Sequence, residues 1–114
     1  MNRPGRSIPV AERAAAGAAF LDQYLPGWHE RIDLSRLRLA SECDCVLGQL
    51  RTAPSFGYRS PFSQMAAELD ISEDVARFGF GFYTDEVGLY ESPAWSELDA
   101  AWRALVTARR EAAA

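Results

Sequence analysis

The chain has 114 residues and a mass of 12.6 kDa, with 48% apolar and 25% charged residues. These values fit one globular domain, whose core covers roughly two-thirds of the surface of the unfolded chain. They exclude a mostly disordered chain. The excess of 16 acidic over 12 basic residues, net -4 with a pI near 4.9, makes nucleic acid an unlikely partner, because nucleic-acid binders present a basic face.

Residues 1–9 hold Pro4, Gly5 and Pro9 and read as a flexible N-terminal arm; residues 10–112 read as a single helical domain. The first helix is expected over Val10–Leu25, where alanine favours the helix intrinsically. Ala16, Phe20, Leu21, Tyr24 and Leu25 form its apolar stripe, and Pro26-Gly27 stops it. Trp28 opens a connector in which Ile32, Leu34, Leu37 and Leu39 do not alternate as a strand would; a helical turn or an extended link fits them better.

Ser41 is the expected N-cap of a second helix over Glu42–Arg51, buried through Cys43, Val46, Leu47 and Leu50. A loop rich in Pro, Gly and Ser follows at 52–61. Ser60-Pro61 signals a third helix to Leu69, since proline suits the first helical position. Ser72 heads a short fourth helix over Glu73–Phe78, with Gly79 as its stop. Residues 80–91 read as irregular and aromatic. The last helix is expected over Pro93–Ala112, with Trp95, Leu98, Trp102, Leu105 and Val106 on one face. The fold class is therefore mainly α: four to five short helices with a long C-terminal one, and no sizeable sheet.

The basic residues are all arginine, and six alanines lie between Ala11 and Ala19. Both residues have GC-rich codons, which points to a high-GC genome of actinobacterial type. No stretch reaches the roughly 20 apolar residues that cross a bilayer, and the alanine-rich run is interrupted by Glu12 and Arg13. The expected location is cytoplasmic, in a bacterial cell or one infected by a phage, with no membrane partner.

Cys43 and Cys45 are two residues apart, about 200° on a helix, so they neither close a disulfide nor share a metal. One thiol is expected in the core and the other near the surface. His29 is the one histidine, too few for the usual zinc sets. No nucleophile, base and orienter stand in a recognisable pattern, and a chain without lysine has no phosphate-binding Gly-Lys loop. The expectation is a non-enzyme with no cofactor and no metal.

Two strings resemble nucleic-acid motifs. Arg77-Phe78-Gly79-Phe80-Gly81-Phe82 is similar to an RNA-recognition strand, but the sequence around it reads as helical. Residues 63–78 resemble a helix-turn-helix, with departures: Asp70 stands where glycine is usual, and the second helix opens on Glu73-Asp74, which phosphates repel. The connector aromatics are the remaining asset. Packing under loops is their ordinary fate, yet Trp and Tyr are also enriched at interface hot spots. Trp28, His29, Phe56, Tyr58, Tyr83 and Tyr90 are thus the candidate contacts to an unidentified protein partner. A helix-turn-helix DNA-binding regulator using residues 63–78 is the alternative function.

Phe20-Leu21-Asp22-Gln23-Tyr24-Leu25-Pro26-Gly27-Trp28, then Cys45-Val46-Leu47-Gly48-Gln49, Gly79-Phe80 and Ala101-Trp102-Arg103-Ala104-Leu105 carry a wider resemblance. Together they resemble a group of short proteins of actinobacteria and their phages, over most of residues 14–110. The resemblance implies a phage or prophage setting and brings no activity or functional residues with it.

Overall fold

The structure is a computed structural model and describes residues 9–51, 60–81 and 93–113. Most of the predicted arm and loop, and residues 82–92, lie outside the described residues. The described residues form four α-helices and one 3-10 helix: α1 (Val10–Tyr24), the 3-10 turn (Trp28–Arg31), α2 (Val46–Leu50), α3 (Pro61–Glu68) and the long α4 (Pro93–Ala113). The described residues contain no strand. The mainly helical class read from spacing and caps is the observed one.

Helices α1 and α4 form the main packed pair, and α2 packs on α3. Leu98, Trp102 and Val106 of α4 are fully or almost fully buried, as helical spacing required. The buried face of α1 is rotated from the predicted stripe: Ala14, Gly17, Ala18 and Leu21 face in, while Ala16 and Tyr24 face out. Close approach explains the rotation. A Cβ at Gly17 would stand 2.0 Å from the Phe78 carbonyl oxygen, and one at Gly79 would stand 2.6 Å from the Ala14 nitrogen. Small residues on α1 let the 78–80 backbone lie directly on the helix, and no larger stripe permits that.

The second predicted helix is shortened. It begins at Val46 and is capped by Cys45, whose Sγ accepts from the Gly48 N–H at 3.3 Å. Ser41 caps a preceding turn instead, accepting from the N–H groups of Cys43 and Asp44. The turn folds over the helix so tightly that a Cβ at Gly48 would lie 2.3 Å from the Glu42 carbonyl oxygen. That geometry buries Cys45 and leaves Cys43 exposed, so one thiol is inside and one outside, with Cys43 removed from the predicted buried stripe. Ser60 caps α3 as expected, accepting from the Ser63 N–H at 3.1 Å.

The predicted fourth helix is a run of turns. Two left-handed residues bracket it, Asp70 with φ 60° and Gly79 with φ 71°. Each closes a pair of bonds of the Schellman type. Ile71 donates to the Ala66 carbonyl and Asp70 to that of Ala67; Phe80 donates to Val75 and Gly79 to Ala76. Between the two reversals the chain closes single turns, Asp74 donating to the Ile71 carbonyl and Phe78 to that of Asp74.

Side chains satisfy the backbone of the 29–39 connector, where a helix or sheet would otherwise do so. Arg103 donates to the carbonyls of Leu34 and Leu37 at 2.7 and 2.8 Å. Arg110 donates to those of His29 and Ile32. Asp99 accepts from the Leu39 N–H at 2.7 Å, and the Gln49 amide pairs with the N–H and carbonyl of Asp33. Ile32, Leu37 and Leu39 are buried beneath this lattice, so the four-aliphatic connector is pinned as its sequence implied.

Candidate functional site

The exposed side of α1 carries an aromatic face. Tyr24 is 58% exposed, the one large apolar side chain so placed among the described residues. Phe20 is one turn earlier, and the two ring centroids are 4.6 Å apart. Phe78, delivered by the turn that ends at Gly79, stacks on the other side of Phe20 at 4.9 Å and 28°. The Arg77 guanidinium lies 4.7 Å over the Phe78 ring and 3.5 Å from Asp74. Tyr24 is thus the exposed ring, with Phe20 and Phe78 half-buried between it and the core and one cation and one carboxylate beside them.

The face is rooted in the core. Phe78 approaches Phe80 at 6.2 Å, Phe80 stacks on Trp102 at 5.2 Å, and Trp102 meets Trp28 edge to face at 5.8 Å. Offset-stacked and edge-to-face pairs suit the ring quadrupoles and hold each ring in one orientation. The Trp102 indole N–H donates to the Gly79 carbonyl at 2.6 Å, fixing the turn that presents Phe78. A partner meeting this face finds rings already ordered, which reduces the entropic cost of association.

Trp28 does not belong to any contact surface: it is fully buried. Gly27, left-handed with φ 84°, reverses the chain and turns Trp28 inwards against Trp102. Its indole N–H donates to Asp22 Oδ1 at 2.9 Å, and Arg109 grips the same carboxylate. These bonds, the arginine first, hold the Asp22 carboxyl below the usual range, against the opposing effect of burial. His29 is half-buried, with Nδ1 3.5 Å from the Glu30 carboxylate. Phe56, Tyr58, Tyr83 and Tyr90 lie outside the described residues.

Sequence reasoning missed Tyr24, Phe20 and Phe78 as a surface. By bulk Tyr24 reads as part of the buried stripe, but the Ala14, Gly17, Ala18, Leu21 series has the same helical spacing and is the one that faces in. Over its described residues, 77–81, the RNA-recognition string is not a strand: Phe80 plugs the core and Gly79 ends a turn. In the helix-turn-helix string the turn does place a left-handed residue at Asp70, but the would-be recognition helix is the run of turns.

Cys45 is a packing residue and a cap; burial pushes its thiol up to about 11. No group of three His, Cys, Asp or Glu side chains that could hold a metal occurs among the described residues. None of the described helices is long and apolar enough to cross a membrane. No protein family, curated protein or solved structure gives a significant match to the chain.

Proposed function

We propose that this chain is a non-catalytic accessory protein that binds another protein through the Tyr24–Phe20–Phe78 face. The observation that carries the reading is Tyr24, an aromatic kept 58% exposed yet stacked on a column of rings that reaches the core. Exposed aromatics on rigid supports are the usual anchors of an interface. The arginine-only basic complement and the motif resemblance support a setting in an actinobacterium or its phage, where the partner is a host or phage protein and the location cytoplasmic.

The test is affinity capture from an actinobacterial lysate with the full chain and its Tyr24→Ser variant. The side chain is largely exposed, so the variant should melt within a degree or two of the parent and bind the captured partner about 30-fold more weakly, the loss typical of a hot spot. Equal binding by both proteins overturns the reading.

A DNA-binding regulator is the second reading, favoured by the left-handed Asp70 between α3 and the following turns. Against it stand the acidic Glu73-Asp74 opening and the engagement of Arg77 with Asp74 and Phe78. Salt-sensitive retardation of duplex DNA in a gel would favour the regulator over protein binding.

A further inference from the structure

Helix α1 carries apolar side chains on two sides. Ala14, Gly17, Ala18 and Leu21 turn inwards, towards α4 and the 78–80 turn. On the outer side Ala16 and Tyr24 are exposed and Phe20 is half-buried. A helix that is apolar on more than one side is one that packs on more than one side.

The outer series has an internal order. Glu12, also exposed, Ala16, Phe20 and Tyr24 recur every four residues, which lines them up as one ridge with steps of about 6 Å. Along the ridge the order is carboxylate, small, large, phenol. Turned end for end, that order is its own complement. In an antiparallel pairing about a two-fold axis at the level of Ala18, Ala16 faces Phe20 of the second copy, and Glu12 faces its Tyr24. Each ring then lies over a methyl group, and each phenol O–H donates to a carboxylate. A parallel pairing sets Glu12 against Glu12 and offers neither. The charge beside the ridge agrees. Arg77 stands over Phe78, which stacks on Phe20, so the antiparallel pairing brings this cation to the half where the second copy has Glu12.

We propose that the outer ridge of α1 is a self-docking surface and that a second copy of this chain covers it, α1 against α1 and antiparallel, in a two-fold dimer. The inference goes beyond the protein-binding reading and does not rest on it: a different partner that takes Tyr24 competes with the second copy.

Sedimentation velocity of the full chain tests this, under reducing conditions that exclude a disulfide through the exposed Cys43. The expected result is a concentration-dependent passage from the 12.6 kDa monomer to twice that mass. Tyr24→Glu sets two carboxylates together at each end of the ridge and should weaken the dimer about tenfold or more. Adding Glu12→Arg to that variant replaces the repulsion by an opposite-charge pair and should recover most of the loss. Within one chain the two positions are about 18 Å apart along the helix, so the rescue acts between chains and reports the antiparallel register. Both side chains are exposed, and circular dichroism checks that each variant keeps the helical fold. A parent that stays at 12.6 kDa up to about 1 mM, a dimer that Tyr24→Glu leaves unchanged, or a double variant as weak as the single one, each overturns the proposal. Capture of a lysate partner by a strictly monomeric chain overturns the dimer and leaves the protein-binding reading standing. A dimer that behaves as expected and captures nothing supports the proposal and overturns that reading.

Discussion

Asp22 and Arg109 lie 87 residues apart in sequence and clasp α1 to α4 through a two-pronged ion pair, Nε to Oδ1 at 2.9 Å and Nη2 to Oδ2 at 2.7 Å. The same carboxylate accepts the Trp28 indole N–H. One side chain therefore ties both long helices to the buried indole that the Gly27 turn inserts between them.

The pH dependence of this clasp has a definite sign. The hydrogen bond from Arg109 depresses the folded-state pKa of Asp22, so the stabilisation is present above the unfolded carboxylate value, about 3.9. It is lost as the pH falls through the folded value, that is, below about pH 4. The Asp22 side chain is 45% exposed, so solvent screening limits the effect. Asp22→Asn should cost about 1 kcal/mol at neutral pH. The gap between parent and variant melting temperatures should close in acid. A gap that persists at about pH 2 removes the charge from the explanation.

Glycine positions separate close packing from backbone conformation. Gly17 sits inside α1, where alanine is intrinsically the better helix former. Its Cβ would nevertheless lie 2.0 Å from the Phe78 carbonyl oxygen, which is backbone and cannot swing away. Gly17→Ala should destabilise by about 3 kcal/mol or more despite its helix propensity. Gly27→Ala meets nothing within 4 Å and faces only the left-handed penalty at φ 84°, about 1 kcal/mol. Chemical denaturation of both variants checks the order; if Gly17→Ala is the milder change, the contact of α1 with the 78–80 turn is not as described.

The parts of this fold legible in the sequence are those set by local chemistry. Ser60-Pro61 fixes the start of α3, and the Leu98, Trp102, Val106 spacing fixes the buried side of α4. What escaped reading is set by contacts distant in sequence. The inward face of α1 depends on a turn more than sixty residues away, which selects Gly17 over Ala16. The 29–39 connector is ordered by Arg103 and Arg110 of α4, more than sixty residues further along the chain. The aromatic face followed the same pattern: Tyr24 is an exposed residue only because small residues own the interior.

The two cysteines should differ sharply in reactivity. Cys43 is exposed, whereas Cys45 is buried with its thiol raised to about 11 and its sulfur engaged as the α2 cap. A thiolate is the reactive form, so Cys45 should be silent in the folded protein. Titration with an aromatic disulfide reagent at about pH 8 should count one fast thiol in the native protein and two in denaturant. Cys43→Ser should abolish the fast phase, and Cys45→Ala should destabilise by about 1 kcal/mol or more through loss of the cap and of buried volume. Two fast native thiols would place Cys45 at the surface and contradict the cap.

The final prediction concerns Trp102, where the core column, the 78–80 turn and the exposed face meet. Its ring stacks on Phe80 and meets Trp28 edge to face, and its N–H bonds the Gly79 carbonyl. Replacing a buried aromatic by alanine typically costs about 3–5 kcal/mol, a large share of the roughly 5–15 kcal/mol that holds a domain together. Trp102→Ala should therefore lower the melting temperature by about 10 °C or more, or prevent soluble expression. Trp102→Phe separates the two roles of the side chain. It keeps much of the ring burial but leaves the Gly79 carbonyl without its donor, a loss of about 1–3 kcal/mol. With its anchor gone, the turn should release Phe78 and weaken partner binding at the Tyr24 face even where the domain stays folded. Thermal melting followed by circular dichroism reads the first effect, and amide exchange at residues 78–80 reads the second. A Trp102→Ala protein that melts within a degree or two of the parent would overturn the packing of α4 against the Trp28 turn.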